Sequence, residues 1–234
     1  MLKPELPRNA EVRTGLSMGE HCELMARRWN IARADQDALA VGSHRNLHAA
    51  YEAGHLNSLV VPFQGLTRDN NLRPDIDPNK IAAMKPVFDR KTGTLTAANS
   101  TPLTDGAAVV LLASEDWARE RGLPILAYLR TGETAAVDFV RGDEGLLMAP
   151  VHAVPRMLSK LDLSLQDFDF YEIHEAFAAQ VLCTLAAWED ADYARERLGL
   201  AQAPGAIDRA KMNLWGSSLA TGHPFAATGG RILA

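Results

Sequence analysis

Apolar and polar positions along this chain follow two different periods, and each change of period marks an element. A polar, proline-rich stretch from Lys3 to Asn9 comes first. Ser17-Met18-Gly19-Glu20 then has the S-x-x-E form of a capping box and predicts a helix running to about Trp29. Asp35, as N-cap, opens a second predicted helix that runs to Ala53 and is closed by Gly54. Ser58 to Pro62 predicts a short strand, and Gln64 to Pro78 a loop. Asp77-Pro78 supplies the cap and first position of a short helix over Ile81, Ala82 and Met84. Turns are predicted at Thr92-Gly93 and at Asn99 to Pro102. Ala107 to Leu112 is a continuous apolar run of strand length, the pattern of a strand buried on both faces. Ser114 caps a helix from Glu115 to Arg121 that Gly122 stops, and Ile125 to Leu129 predicts the next strand.

The alternation continues in the second half. Val151 to Leu161 is helical, with Pro155 either starting the helix late or kinking it. Ser164 to Asp167 is a cap-like turn, Phe168 to Ile173 a strand, and His174 to Trp188 an apolar helix. Asn213 to Trp215 predicts a short strand, and Pro224 to Ala234 a helix of small residues that has no cap at its end. The polar entry and that uncapped helix give both ends the look of a cut. Strands alternating with helices predict an α/β architecture, with a domain border near residues 115 to 124.

Composition narrows the class. Of 234 residues, 47% are hydrophobic and 23% charged, which excludes a disordered chain and a disulfide scaffold. Lys and Arg total 24 against 29 acidic residues, a net charge of −5 with no basic block, which argues against nucleic acid. The apolar runs are too short for a transmembrane segment, and the start carries no secretory h-region. Two unpaired cysteines, Cys22 and Cys183, fit a reducing, cytoplasmic compartment. Both fall on apolar helix faces, where an inert buried thiol is expected.

Candidate chemistry gathers in a few segments. Pro224 favours a first helical turn, so His223 is placed at the mouth of a helix whose dipole keeps the ring neutral. A neutral imidazole can accept a proton from a thiol or donate to an oxyanion. A histidine that merely caps the helix fits the same pattern. His174-Glu175-Ala176-Phe177 follows a predicted strand, where α/β folds bind ligands, yet an acidic first helical turn reads identically. Residues 97 to 106 could meet an elongated polar ligand or form only a well-bonded turn. His44 and His48 stand at i, i+4, but no glutamate lies between them and no third ligand follows, so a solvated helix face is expected.

Taken in order and spacing, Thr96 to Ala108, His174 to Gln180 and Gly222-His223-Pro224 resemble the thiolase family, in its H-E-A-F branch. Met18-Gly19 and Lys85 to Asp89 also fit, and the resemblance spans residues 12 to 234. It implies an incomplete layered α/β/α/β/α fold. Residues 1–118 would be the remainder of an N-terminal domain with a CoA-binding loop region, and 119–234 a truncated C-terminal domain. It also implies thiolytic cleavage of 3-oxoacyl-CoA by CoA, or the reverse condensation, in fatty-acid β-oxidation. The family's acylated cysteine and its proton-exchanging cysteine fall before Met1 and after Ala234, so the chain alone is expected to be inactive.

By the same resemblance, His223 is the base that activates the thiol and an oxyanion donor. His174 stands where many thiolases carry the asparagine that holds an oxyanion-hole water. Thr101 and Ala97 match contacts to the pantetheine, and Arg73 an arginine against the adenine. Phe88, Phe177 and Met18 match acyl-pocket walls, while Ser17 replaces a histidine found before Met-Gly in some thiolases. No metal or cofactor is implied beyond coenzyme A as substrate. The partners implied are acyl-CoA and CoA, with a homo-oligomeric full-length protein and a β-oxidation α-subunit. A sterol-carrier-type thiolase-like protein, or a non-catalytic CoA-binding or interaction protein of thiolase descent, are the alternatives.

Overall fold

The computed structural model describes residues 9–141 and 143–234, so most of the polar entry lies outside the described residues. Helix α1 (Met18–Arg28) starts where the capping box predicts. The Ser17 hydroxyl accepts from the Glu20 N–H, and the Glu20 carboxylate accepts from the Ser17 N–H at 2.7 Å. Helix α2 (Arg33–Glu52) starts earlier than predicted, with Ala32 at its cap and no side-chain bond there. Asp35 instead lies in the first turn, where its charge complements the helix dipole. The short helices α3 (Pro78–Ala82) and α4 (Glu115–Glu120) are capped by Asp77 and Ser114 as predicted.

In the second half, α5 (Ala149–Leu161) also begins early, because Pro150 takes the first turn while Pro155 stays inside. A 3₁₀ turn over Leu165–Asp167 carries its own capping box from Ser164. Helix α6 (Ala178–Glu189) begins later than His174. The Ala178 N–H is held by the Asn99 carbonyl at 2.9 Å, which keeps residues 174 to 177 out of the helix. Helix α7 (Ala191–Tyr193) passes into a π-turn over Ala194–Leu198. Helices α8 (Ser218–Thr221) and α9 (Ala226–Leu233) close the order, so α9 starts beyond Pro224 rather than at it.

The expected sheets are corrected by the structure. None of the predicted strands (58–62, 107–112, 125–129, 168–173, 213–215) forms among the described residues. Isolated bridges stand instead: Phe63 to Leu66, Ser100 to Phe177, Leu103 to His223 and Tyr171 to Met212. The physical reason is that a strand's N–H and C=O groups bond only to a neighbouring strand. The 107–112 and 125–129 segments have none, and Val109 and Leu126 are 90% and 93% exposed. The β layers of the expected α/β/α/β/α arrangement are therefore not borne out, and the described residues carry helices, loops and isolated bridges.

Burial concentrates where helices meet. Met25 of α1, Val151 and Leu158 of α5, and Val181, Leu185 and Trp188 of α6 form one core with Met148. Helix α1 packs on α6, which also packs against α2 and α5, and α2 carries α8. Cys22 and Cys183 are both fully buried, as their apolar positions predict.

Candidate active site

The 99–103 segment forms the floor of the site, since it bonds to both histidine-bearing segments. The Thr101 N–H donates to the Ala176 carbonyl at 3.0 Å, and the His223 N–H donates to the Pro102 carbonyl at 2.9 Å. Asn99 fixes this segment in turn. Its side-chain oxygen accepts from the Thr96 N–H at 2.7 Å, and its amide donates to Asp37 at 2.9 Å. Asp37 pairs with Arg33 one turn earlier on α2. Gly222 sits at φ +96°, and a Cβ there would run into Thr104, so only glycine fits this turn.

The two histidines meet over that floor. Their ring centroids are 4.3 Å apart with the planes tilted by 41°, and Phe225 lies 4.8 Å from the His223 ring. His174 Nδ1 is 2.7 Å from Ser218 Oγ, and His223 Nδ1 is 2.8 Å from Thr228 Oγ1. With each Nδ1 engaged by a hydroxyl, Nε2 is the atom left for chemistry on both rings. Burial holds the His174 pKa down at about 4, helped by the positive charge of His223 and Arg231. Burial and then Arg231 also depress His223. Both rings are therefore neutral near pH 7. The cause differs from the helix dipole argued from sequence, because α9 starts only at Ala226.

Glu175 holds the site from behind. It is 2% exposed and accepts from Ser43 Oγ at 2.7 Å, Asn213 Nδ2 at 2.8 Å and the Leu219 N–H at 3.2 Å. Burial pushes its carboxyl up, and those donors pull it back. A set made only of donors suits the ionised form. Ser43 also accepts from the Ser217 N–H at 2.9 Å, so one carboxylate ties α2 to the turn that presents Ser218.

The remaining sequence-derived residues divide into two groups. Phe88 and Phe177 meet edge to face at 5.7 Å, and Gly19, next to Met18, has no room for a Cβ against the Phe88 ring. Met18 is itself the half-exposed first residue of α1. Thr101 donates its hydroxyl to the Ser218 carbonyl at 2.7 Å, which places it beside both histidines. Ala97 is exposed on the turn before Asn99. Arg73 is exposed and spends its guanidinium on the carbonyls of Asn70, Asn71 and Leu72, at 2.9 to 3.1 Å. Its backbone N–H donates to His44 Nδ1 at 3.2 Å, and burial lowers that ring's pKa to about 4, so the solvated helix face expected for His44 is corrected to a buried, hydrogen-bonded one. Among the described residues, no cluster of His, Cys, Asp and Glu could hold a metal ion. Ser218, Thr228 and Arg231 escaped the sequence analysis. The only signal was a lone arginine in a helix otherwise made of small and apolar residues.

Residues 6–116 match the thiolase N-terminal domain, and residues 123–234 the thiolase C-terminal domain. A 3-ketoacyl-CoA thiolase of Yersinia enterocolitica is 45% identical over 238 residues, covering 99% of this chain and 54% of that one. One from Yersinia pestis is 44% identical with the same coverage. The crystal structure of the Bacillus anthracis acetyl-CoA acetyltransferase superposes with a TM-score of 0.79 at 32% identity, covering 99% of this chain and 57% of that one. The chain thus spans about half the length of the curated relatives it matches. Among the described residues, no helix is long and apolar enough to cross a membrane. With both thiolase domain models matched in order along it, the chain belongs to the thiolase family.

Proposed function

We propose that this chain carries the histidine side of a thiolase site. Its reaction is thiolytic cleavage of a 3-oxoacyl-CoA by CoA to acyl-CoA and acetyl-CoA, or the reverse Claisen condensation, within fatty-acid β-oxidation. The observation that carries the proposal is the 4.3 Å approach of two neutral imidazoles. His223 accepts the proton of an attacking thiol at Nε2, and the Nε2 side of His174 faces the developing oxyanion. Such a donor is worth roughly 3–4 kcal/mol of barrier. Thr101 and Ala97 line the pantetheine path, Arg73 the nucleotide end, and Phe88, Phe177 and Met18 the acyl end. Residues 1–118 and 119–234 form the two domain portions. The full-length protein is a homo-oligomer that works with a β-oxidation α-subunit.

Neither cysteine of these 234 residues suits the nucleophilic thiol or the thiol that exchanges the α-proton. Cys22 and Cys183 are both 0% exposed, and burial raises both thiols, Cys183 to about 12, so neither forms a usable thiolate. The test uses the 234-residue polypeptide with ¹⁵N-labelled histidines. Acetoacetyl-CoA is expected to shift the ring signals of His174 and His223 while no CoA-dependent cleavage occurs. No shift at either ring at millimolar ligand sinks the site assignment. Measurable turnover sinks the exclusion of the two cysteines.

A further inference from the structure

We infer that Arg231, acting through Ser218, fixes His174 in the tautomer that carries its hydrogen on Nε2, making that ring a committed donor beside His223. The tautomer follows from hydrogen counting. Only its purpose rests on the functional reading above.

One guanidinium nitrogen of Arg231 lies 3.3 Å from Ser218 Oγ and 3.3 Å from Ser217 Oγ. A guanidinium only donates, and a hydroxyl has one hydrogen and two lone pairs. Arg231 therefore occupies a lone pair on each serine. Ser217 spends its own hydrogen on the Ile173 carbonyl at 3.1 Å. The acceptor left within reach of the Ser218 hydrogen is His174 Nδ1 at 2.7 Å. An Nδ1–H donating to the second Ser218 lone pair would leave the hydrogen of this fully buried hydroxyl without an acceptor among the described residues, so Nδ1 accepts and the neutral ring carries its hydrogen on Nε2. A single cation thus turns two adjacent hydroxyls onto residues 173 and 174.

The charge of Arg231 supports the same arrangement. No carboxylate lies within ion-pair distance of it among the described residues, and its Nε is buried without a partner. Glu172, Asp69 and Glu175 act on it only at longer range. Its field is therefore not cancelled locally and disfavours an imidazolium at either ring. His223 differs: Thr228 Oγ1 has only the His223 ring as a side-chain partner among the described residues. When that ring donates from Nδ1 to Thr228, its Nε2 lone pair is free to take a proton. The two rings can then divide the work, one as donor and the other as base. Arg231 is a positioning residue in this scheme and touches no reacting atom.

The experiment is two-bond ¹H–¹⁵N correlation of the histidine rings at pH 7. In the wild-type chain His174 is expected to show a protonated Nε2 and an unprotonated Nδ1. Arg231→Met and Ser218→Ala are each expected to convert it to mixed tautomers. Arg231→Gln, which keeps an N–H donor, is expected to restore the wild-type pattern. A protonated Nδ1 in the wild type overturns the inference. A folded Arg231→Met variant with an unchanged pattern overturns the arginine's part. If Arg231→Met does not fold, Ser218→Ala decides, since it leaves the cation in place, and an unchanged pattern there also overturns the relay. A fixed tautomer combined with no acetoacetyl-CoA shift at either ring keeps this inference and sinks the functional one.

Discussion

Around Glu175, residues far apart in sequence are locked together. In 107–112 and 125–129, on either side of α4, most apolar residues stand uncovered. Ser43 reaches Glu175 across 132 positions and Asn46 reaches the Asn213 carbonyl across 167, each within 3.0 Å. In the second region Val109, Leu111, Leu112, Leu126 and Leu129 stand 68% to 93% exposed, although their sequence is as apolar as a core. The difference lies in where backbone groups find partners. Helices satisfy most of theirs internally, so α1, α2 and α6 can assemble from side-chain contacts alone. An extended segment has only its neighbours, and without them its apolar residues gain nothing.

The sharpest way to break this comparison is to remove the carboxylate at its centre. Glu175→Ala strands three donors, from Ser43, Asn213 and Leu219, in a buried place. An unsatisfied buried donor costs about 1–3 kcal/mol, so the variant is expected to lose about 3–5 kcal/mol of stability by urea unfolding. Glu175→Gln keeps an acceptor oxygen and is expected to lose less than half of that. A loss below about 1 kcal/mol for the alanine variant means the network does not hold the 217–219 turn.

Acid should erode the knitted region next. His44 and His174 are both held at about 4 in the folded chain against an ordinary value of 6.5. The unfolded chain therefore binds protons that the folded chain refuses between those values. Stability is unaffected by these groups above about pH 6.5, falls as pH drops from there to about 4, and levels off below. The two rings are shifted alike, so each contributes a similar share, about 2 kcal/mol. Unfolding at pH 7 and pH 4.5 checks this, with His44→Gln expected to flatten the slope. An equal slope in that variant assigns the acid sensitivity elsewhere.

These contrasts explain what the sequence could reveal. Ser17, Asp77, Ser114 and Ser164 mark helix or turn starts because a cap is a local event, settled within four residues. The pairing of His174 with His223 emerged from two motifs recognised together, not from either alone. Glu175 looked like a first-turn acid, and its bonds to α2 and to the Asn213 turn have no local sign. Arg231 was invisible for the same reason, since its partners Ser217 and Ser218 lie a helix away. The strands failed because apolar run length reports what a segment needs, not whether a neighbour is present to supply it.

The smallest expected effect comes from the unpaired region and tests the comparison from its other side. A leucine buried in the core, such as Leu185 at 2% exposure, should cost about 2–5 kcal/mol when cut to alanine. Leu126 is 93% exposed and Leu111 73%, so their burial contributes almost nothing in the monomer. Leu111→Asp and Leu126→Asp are therefore expected to shift stability by no more than about 0.5 kcal/mol. They should also reduce light scattering at high concentration, because exposed extended apolar segments invite pairing between copies. A loss above about 1.5 kcal/mol that grows with protein concentration means these side chains are covered in solution by a second copy. In that case the exposed region joins the knitted one, and the contrast between local and borrowed partners holds for the assembly rather than the single chain.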